Sequence, residues 1–203
     1  MLQSARGGVP SSRVTPGLLR LPAIEAAPLL LGWIICRKTP AGTLKLRIVE
    51  VEAYHQNDPA SHSYRGETKR AAPMFKAGGH IYVYFTYGMH YAINIVTGPA
   101  GRGEAVLLRA AEPLEGIEIM QQNRGLTDIK KLAAGPGRLA QALGITDTSL
   151  SGKILNKSSI FLEPPLEPVD TKDIVASPRI GISKNPDPLW RFYIKNSPYI
   201  SRV

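Results

Sequence analysis

Two β-rich segments separated by one tight turn constrain the fold of this chain more than any other feature. The segments HIYVYFTYG and YAINIVTG are rich in β-branched and aromatic residues, and they meet at Gly88, Met89 and His90. That spacing is typical of a β-hairpin. A third strand-like run, EAVLLRAAEP, follows the turn PAGRG. The pattern therefore predicts a meander of three antiparallel strands.

Further segments predict the remainder of a mixed fold. The run TLKLRIVEVEAY alternates apolar and polar residues from Leu44 onward and predicts another strand. Short helices are expected between Pro22 and Gly32, in PLEGIEIMQQNRG from its proline to its final glycine, and in GPGRLAQALGI. Short strands are expected in SIFLEP, RIGIS and RFYIKN. We predict an α+β fold: a single domain with a curved, mostly antiparallel β-sheet surrounded by short helices, with the hairpin protruding from it.

The chain length and its ends suggest how the domain is organised. A chain of 203 residues suffices for one well-filled core. Residues 1–17 are rich in Ser, Gly, Pro and Arg and predict a flexible basic leader before a folded domain at 18–203. The opening residues lack the apolar core of a signal peptide, and the most apolar segment is too short to span a bilayer. A cytoplasmic, nucleoid-associated location is therefore expected, with no membrane partner.

The charge balance favours a polyanionic partner. Lys and Arg outnumber Asp and Glu by 25 to 16, which gives a net charge of +9. An excess of this size on a small domain is typical of nucleic-acid binding, although basic proteins without such a partner also exist. The cations are scattered rather than concentrated in one run, which favours a folded binding face over a basic tail.

Titratable and aromatic side chains concentrate between Ile48 and Val96, which hold all four histidines and six of the eight tyrosines. Glu50 and Glu52 are two residues apart on the predicted strand, so their side chains share one face. That face is either a solvated edge or the wall of a cleft. A carboxylate at a strand end near a polar loop is well placed as a general base for water, which makes Glu52 a candidate catalytic residue.

The same region offers a second interpretation, a divalent metal site. His55, Asp58 and His62 could act as ligands together with Glu52. Their spacing matches no compact metal-binding signature, and the single cysteine, Cys36, excludes a cysteine-based cluster. We therefore expect no metal.

The tyrosines of the hairpin are the sharper signal. Tyr82 and Tyr84 share one strand face, and Tyr87 approaches the turn. Such a face can pack on the core, but buried phenols need hydrogen-bond partners, whereas an exposed platform can stack bases and a ring at the tip can enter a duplex. With a basic chain, nucleic acid is favoured. Asn94 on the return strand adds an amide that can bond to a base edge.

Together these residues resemble the alkyladenine (3-methylpurine) DNA glycosylase family. The pattern YVY-x-x-YGM-x-x-x-x-N, together with the EAY segment, is highly specific for it. The resemblance covers nearly everything from about Leu18 to Ser201, in the family's order. The matching segments are IVEVEAY, DPASHSYRG, APMF, YVYFTYGMHYAINIV, EAVLLRAAEPLEG, GPGRLAQALGI and FYIKNSPYIS.

The resemblance implies a role for seven residues. Glu52 matches the acid that activates the attacking water, and Arg109 matches an arginine beside it. Tyr54 and Tyr84 match the aromatic walls around a flipped base, while His62 matches a histidine of the same pocket. The other two matches are Asn94, at the pocket floor, where it excludes the 2-amino group of guanine, and Tyr87, which inserts in the minor groove.

The resemblance also implies the reaction and its partners. It implies a monofunctional glycosylase that flips alkylated or deaminated purines out of double-stranded DNA and leaves an abasic site. Candidate lesions are 3-methyladenine, hypoxanthine and ethenoadenine. Family members act without metal or other cofactor, and a monomer is expected. The alternatives are a non-catalytic binder of damaged DNA and a metal-dependent hydrolase.

Overall fold

The structure, a computed structural model, describes residues 17–86, 88–165 and 167–202. Eight strands form in chain order: β1 (Ile34–Thr39), β2 (Gly42–Tyr54), β3 (Ile81–Thr86), β4 (His90–Val96), β5 (Ala105–Glu115), β6 (Ile160–Glu163), β7 (Ile174–Ser177) and β8 (Arg191–Ile194). In the same described ranges, three α-helices accompany them: α1 (Ala23–Leu29), α2 (Ile117–Arg124) and α3 (Pro136–Ala142). The predicted α+β class is confirmed.

All eight strands belong to one antiparallel sheet with β2 near its centre. The order along the sheet is β3-β4-β5-β2-β1-β6, and β8 pairs with both β2 and β7. One edge of β2 is shared, because β1 pairs with its first half and β8 with Glu50–Glu52. Strand β2 runs for 13 residues and shifts register against β5 at three places before Val51. Such irregularities bend a strand, which agrees with the predicted curvature.

The predicted meander is confirmed. Strand β3 pairs with β4 from Ile81 opposite Ile95 to Thr86 opposite His90, and β4 pairs with β5. How far this strand pair protrudes stays a prediction. Tyr87 at its turn lies outside the described residues, as do residues 1–16 of the expected leader. The domain boundary at residue 18 therefore also stays a prediction.

The helices cover one main hydrophobic core. The buried apolar residues of β2, β3, β4 and β5 form this core with α1 and α3. At the start of α1, the buried carboxylate of Glu104 accepts a hydrogen bond from the Ala23 N–H at 2.7 Å. The buried acid thereby serves a helix end that has no local side-chain cap. None of the helices in the described residues has both the length and the apolar character that crossing a bilayer requires.

Two predicted element bounds are wrong, each for a local reason. Pro113 does not begin a helix but lies in β5 opposite Leu46, where the register shifts and a missing N–H is tolerated. The helix begins after Gly116, and it ends as predicted at Gly125, whose φ of +59° is left-handed. The segment RIGIS is not a strand; strand β7 precedes it instead. The buried side chain of Arg179 draws this segment inward, as described below.

Candidate active site

A cavity of about 200 Å³ opens where β2, β3, β4 and β5 meet the segment that follows β7. Six of the seven predicted site residues line it, and the seventh, Tyr87, lies outside the described residues. The six are Glu52, Tyr54, His62, Tyr84, Asn94 and Arg109. Aromatic and apolar side chains form most of the remaining wall. The residues to which the resemblance gives roles thus lie around one cavity, although they are spread over more than fifty positions of the chain.

Glu52 is the acid of this cavity, and it is completely buried. Its Oε1 accepts the Ile180 N–H at 2.8 Å and lies 3.2 Å from Nη1 of Arg109, while its Oε2 accepts the Tyr54 hydroxyl at 2.8 Å. The interpretation of this strand face as a solvated edge is therefore wrong. A carboxylate held from three directions is fixed in orientation, as a general base for a bound water has to be.

Glu50 holds Arg109 in place from behind. Its carboxylate is fully buried. It accepts hydrogen bonds from Nε of Arg109 at 3.0 Å and from Nε of Arg191 at 2.7 Å. Ser201 closes the cluster through its N–H at 2.6 Å and its hydroxyl at 2.8 Å. The two glutamates thus share one arginine, and Glu50 acts on the cavity only through it. A buried charge needs this degree of pairing to be tolerated.

Two tyrosines give the cavity flat walls. Tyr54 donates its hydroxyl to Glu52, and burial together with the charge of Glu52 raises the pKa of this phenol. Tyr84 lines the cavity from β3. Its ring centroid is 5.4 Å from that of Tyr82 and 4.5 Å from that of His62. Tyr54 and Tyr84 therefore both contribute an aromatic ring to the cavity lining, and the stacking role that the resemblance implies for them stays a prediction.

His62 is tied to the aromatic wall although its residue stays open to solvent on one side. Its Nδ1 lies 2.9 Å from the Tyr82 hydroxyl, and its ring meets that of Tyr84 edge to face. The loss of water around the ring, and then the charge of Arg70, lower the pKa of His62 to about 4. The imidazole is therefore neutral near pH 7.

This lowered pKa predicts a pH-dependent stability. The unfolded chain binds a proton on His62 below about pH 6.5, whereas the folded chain does so only near pH 4, so the stability contributed by the neutral ring is present above pH 6.5 and falls as the pH drops towards 4. We expect His62→Gln to lose less stability than the wild type between pH 6.5 and 4, measured as the urea midpoint. Parallel midpoints for the two proteins would contradict the lowered pKa.

Asn94 is buried on β4 and donates its side-chain amide to the Tyr82 carbonyl at 3.1 Å. The residue also lines the cavity. The amide is thus fixed in orientation by the hairpin on which it lies. A buried and oriented polar group of this kind discriminates between ligands by the groups it can or cannot pair.

The residues that the alternative metal interpretation names as ligands contact other partners in the structure. His55 packs its ring 4.8 Å from that of Trp190, and Asp58 is paired with Arg179 at 2.5 Å, so both are engaged elsewhere. Among the described residues, no group of three or more His, Cys, Asp or Glu side chains is placed to hold a metal ion. The donor set around the cavity does not fit a metal.

Sequence reasoning missed three residues that shape the site: Glu50, Arg179 and Ser201. Glu50 was recognised only as a neighbour of Glu52 on the same strand face. Ser201 contacts it across 151 residues of sequence, and Ile180, next to Arg179, contacts Glu52 across 128. Periodicity reports on local structure, so nothing in the pattern of single segments indicates these pairings. The available signal was the run FYIKNSPYIS itself, whose role the resemblance left open.

Known proteins support the interpretation of this geometry. Residues 18–198 match the family model described as methylpurine-DNA glycosylase. The chain belongs to the methylpurine-DNA glycosylase family. It is 50% identical over 173 residues to a protein of Carboxydothermus hydrogenoformans, covering 85% of this chain and 90% of that one. A protein of Francisella tularensis strain SCHU S4 is 48% identical over 186 residues, covering 91% and 96%. Both are named "Putative 3-methyladenine DNA glycosylase".

Membership of the methylpurine-DNA glycosylase family confirms the resemblance and makes the chain a DNA glycosylase, a hydrolase of base excision repair. A relative in Methanoculleus marisnigri has the same name and is 48% identical over 181 residues, covering 88% of this chain and 93% of that one. The DNA substrate predicted from charge and aromatic content follows from the family.

Proposed function

We propose that this methylpurine-DNA glycosylase releases 3-methyladenine and related alkylated purines from double-stranded DNA, using a water activated by Glu52. The observation that carries the proposal is a fully buried carboxylate in the wall of a cavity that the rings of Tyr54 and Tyr84 also line. The names of the relatives support 3-methyladenine as the base.

Burial of the acid requires that the nucleotide leaves the duplex. A stacked and paired base cannot reach a carboxylate that has no exposed surface, so the target base flips into the cavity. Flipping costs a few kcal/mol and costs least at damaged pairs, which already favours lesions over normal bases. Inside, Tyr54 and Tyr84 offer the two flat surfaces between which a purine stacks.

The chemistry then follows from the charge of the lesion. Methylation at N3 makes the base cationic, so it leaves readily, and the sugar passes through an oxocarbenium-like state as in glycoside hydrolysis. The negative charge of Glu52 stabilises that state and its carboxylate takes the proton of the attacking water. Arg109 keeps Glu52 in position at 3.2 Å. Stacking on electron-rich tyrosine faces further favours a cationic ring.

Neutral lesions place a heavier demand on the site. Hypoxanthine and ethenoadenine leave well only when they are protonated, and His62, with its lowered pKa, is neutral near pH 7 and does not supply that proton. We therefore propose alkylated purines as the principal substrates and neutral deaminated or etheno lesions as slower ones. Asn94 is proposed to exclude guanine, because the 2-amino group of guanine would clash with its oriented amide.

The DNA backbone is proposed to lie along a basic groove beside the cavity. A groove of about 420 Å³ shares Ala60 and His62 with the cavity and is lined by Arg65, Arg70 and Lys184. None of these three cations forms an ion pair within the part of the chain that the structure describes. Cations of this kind attract phosphates and position the duplex without reading its sequence.

Tyr87 is proposed to fill the gap that the flipped nucleotide leaves. Replacing Tyr87 by Ala removes a stacking ring worth about 1–3 kcal/mol, so we expect Kd for a damaged duplex to rise roughly 5- to 150-fold. The measurement is fluorescence anisotropy with a lesion-containing oligonucleotide, and Tyr87→Phe, which keeps the ring, serves as the control. Equal affinity of Tyr87→Ala and wild type would remove this role.

Excision from a defined duplex tests the function directly. The wild-type chain, in excess over an oligonucleotide with one 3-methyladenine, should release the free base in the presence of EDTA and leave a strand that breaks only after treatment with alkali. Binding without release would favour the alternative, a non-catalytic binder of damaged DNA. Loss of release in EDTA would favour a metal-dependent hydrolase, and strand breakage without alkali would contradict a monofunctional enzyme. A monomer in the cytoplasm remains part of the proposal, tested by light scattering and cell fractionation.

A further inference from the structure

A fully buried arginine lies behind the Tyr54 wall of the cavity. Arg179 belongs to the irregular segment between β7 and β8, yet its side chain has no exposed surface. It pairs with the equally buried Asp58 at 2.5 Å and donates to the carbonyls of Ala53 at 3.2 Å and Asn185 at 3.3 Å. Burial of a charged pair is expensive, so a pair in this position needs a reason beyond stability.

The guanidinium also lies between two aromatic rings. Its Cζ is 4.5 Å from the centroid of the Tyr54 ring and 5.0 Å from that of Trp190. Tyr54 lines the cavity, whereas Arg179 and Trp190 do not. Arg179 therefore supports the stacking wall from the side turned away from the base, and such planar contacts restrict the tilt of a ring.

The residue after Arg179 reaches the other functional group. The Ile180 N–H donates to Glu52 Oε1 at 2.8 Å, and Ile180 itself lines the cavity. Because Asp58 and the Ala53 carbonyl hold the guanidinium of Arg179, the Arg179–Ile180 peptide is also held in position. The Arg179 side chain thus fixes both the position of the Tyr54 ring and the position of the Ile180 N–H that donates to Glu52.

We propose that Arg179 is a positioning residue for base excision, which couples the Tyr54 wall to the Ile180 donor of Glu52. This inference rests on the proposed function. Asp58 completes the unit, because Asn185 and the Ala60 N–H bond to its other oxygen at 3.1 and 3.2 Å. Burial opposes its ionised form, but the bonds from Arg179 and Asn185 outweigh that effect and lower the pKa of Asp58. The unit therefore stays charged and closed near neutral pH.

Arginine is needed here for its shape as well as its charge. A lysine could pair with Asp58, but its ammonium cannot lie flat between two rings while it reaches several acceptors. The variant Arg179→Lys thus keeps the charge and loses the planar contacts. A displacement of about 1 Å in an active site lowers a rate by about 100-fold, so we expect the single-turnover excision rate to fall about 10- to 100-fold.

The matched control is Arg124→Lys. Arg124 also donates to a backbone carbonyl, that of Leu132 at 2.9 Å, but it lies on α2 away from the cavity. We expect this control to excise at the wild-type rate. For Arg179→Lys, we also expect the pH profile of the rate to move, because Glu52 loses a fixed donor, while Kd for the damaged duplex changes less than the rate.

The possible outcomes separate the two proposals. If wild type releases no base, the proposed function fails. If wild type releases the base and Arg179→Lys does so at the same rate, or slows only in proportion to its unfolded fraction, the positioning role is overturned. Should Arg179→Lys not fold, Trp190→Leu removes one ring from the stack and leaves the ion pair intact; we expect a loss of about 3- to 10-fold, below the full displacement effect, and an unchanged rate would again overturn the proposal.

Discussion

We expect Glu52→Gln to release methylated base about 10²- to 10⁴-fold more slowly than wild type, the range for removal of a general base. The amide keeps the shape of the side chain: its oxygen can still accept the Ile180 N–H, and its NH2 group can donate to the Tyr54 hydroxyl oxygen in place of the bond that this hydroxyl donates to Glu52, so we expect the fold and the walls of the cavity to persist. It carries no negative charge and accepts no proton from water. The measurement is single-turnover release from a duplex with one 3-methyladenine.

Glu112→Gln is the matched control for this variant. Glu112 is a partly exposed glutamate of β5 that faces Arg47 at 3.7 Å, away from the cavity. We expect wild-type release from it. Damaged-duplex binding by Glu52→Gln should remain close to wild type, because stacking and phosphate contacts are untouched. Release by Glu52→Gln at the wild-type rate would show that another group activates the water.

Arg109→Met lowers both the stability and the activity. The variant leaves Glu52 without its ion pair and removes one of the two arginines from Glu50, both in a fully buried setting. Removing one partner of a buried pair costs about 3–5 kcal/mol. We expect a loss of this size in the free energy of unfolding, measured in urea, and a fall in the excision rate of the protein that remains folded.

The partly exposed Arg47 provides the comparison. Arg47→Met removes a surface contact with Glu112 at 3.7 Å, and such pairs contribute at most about 1 kcal/mol. The contrast between the two variants isolates the effect of burial, since the chemical change is identical. A loss below about 1 kcal/mol for Arg109→Met would mean that the Glu50 cluster relaxes or admits water.

Local patterns predicted the parts of the site that lie within single strands. Alternation along β2 placed Glu52 and Tyr54 on one face, and the hairpin pattern brought Tyr84 and Asn94 onto paired strands. The same alternation could not tell a solvated face from a buried one, because burial is decided by what packs on top. Here the covering groups come from the C-terminal part of the chain, including Ser201.

Elements failed where a tertiary contact overrides local preference. The segment RIGIS has the composition of a strand, but Arg179 turns inward to Asp58 and Gly181 adopts a φ of +75°, so no strand forms there. Pro113 has the profile of a helix start and is instead absorbed at a register shift of β5. In both cases the deciding partner lies far away in the sequence.

The regular end of β2 fixes the distance between Glu52 and Tyr54. From Val51 to Tyr54 the strand pairs with β5 without a register shift, so Glu52 and Tyr54 are anchored at Cα atoms about 6.6 Å apart. That separation is set by covalent strand geometry and does not change when neighbouring loops move. Under the proposed mechanism, loop substitutions can therefore alter which base enters the cavity, while the distance between the Tyr54 ring on which the base would stack and the Glu52 carboxylate that would act at the glycosidic bond stays constant.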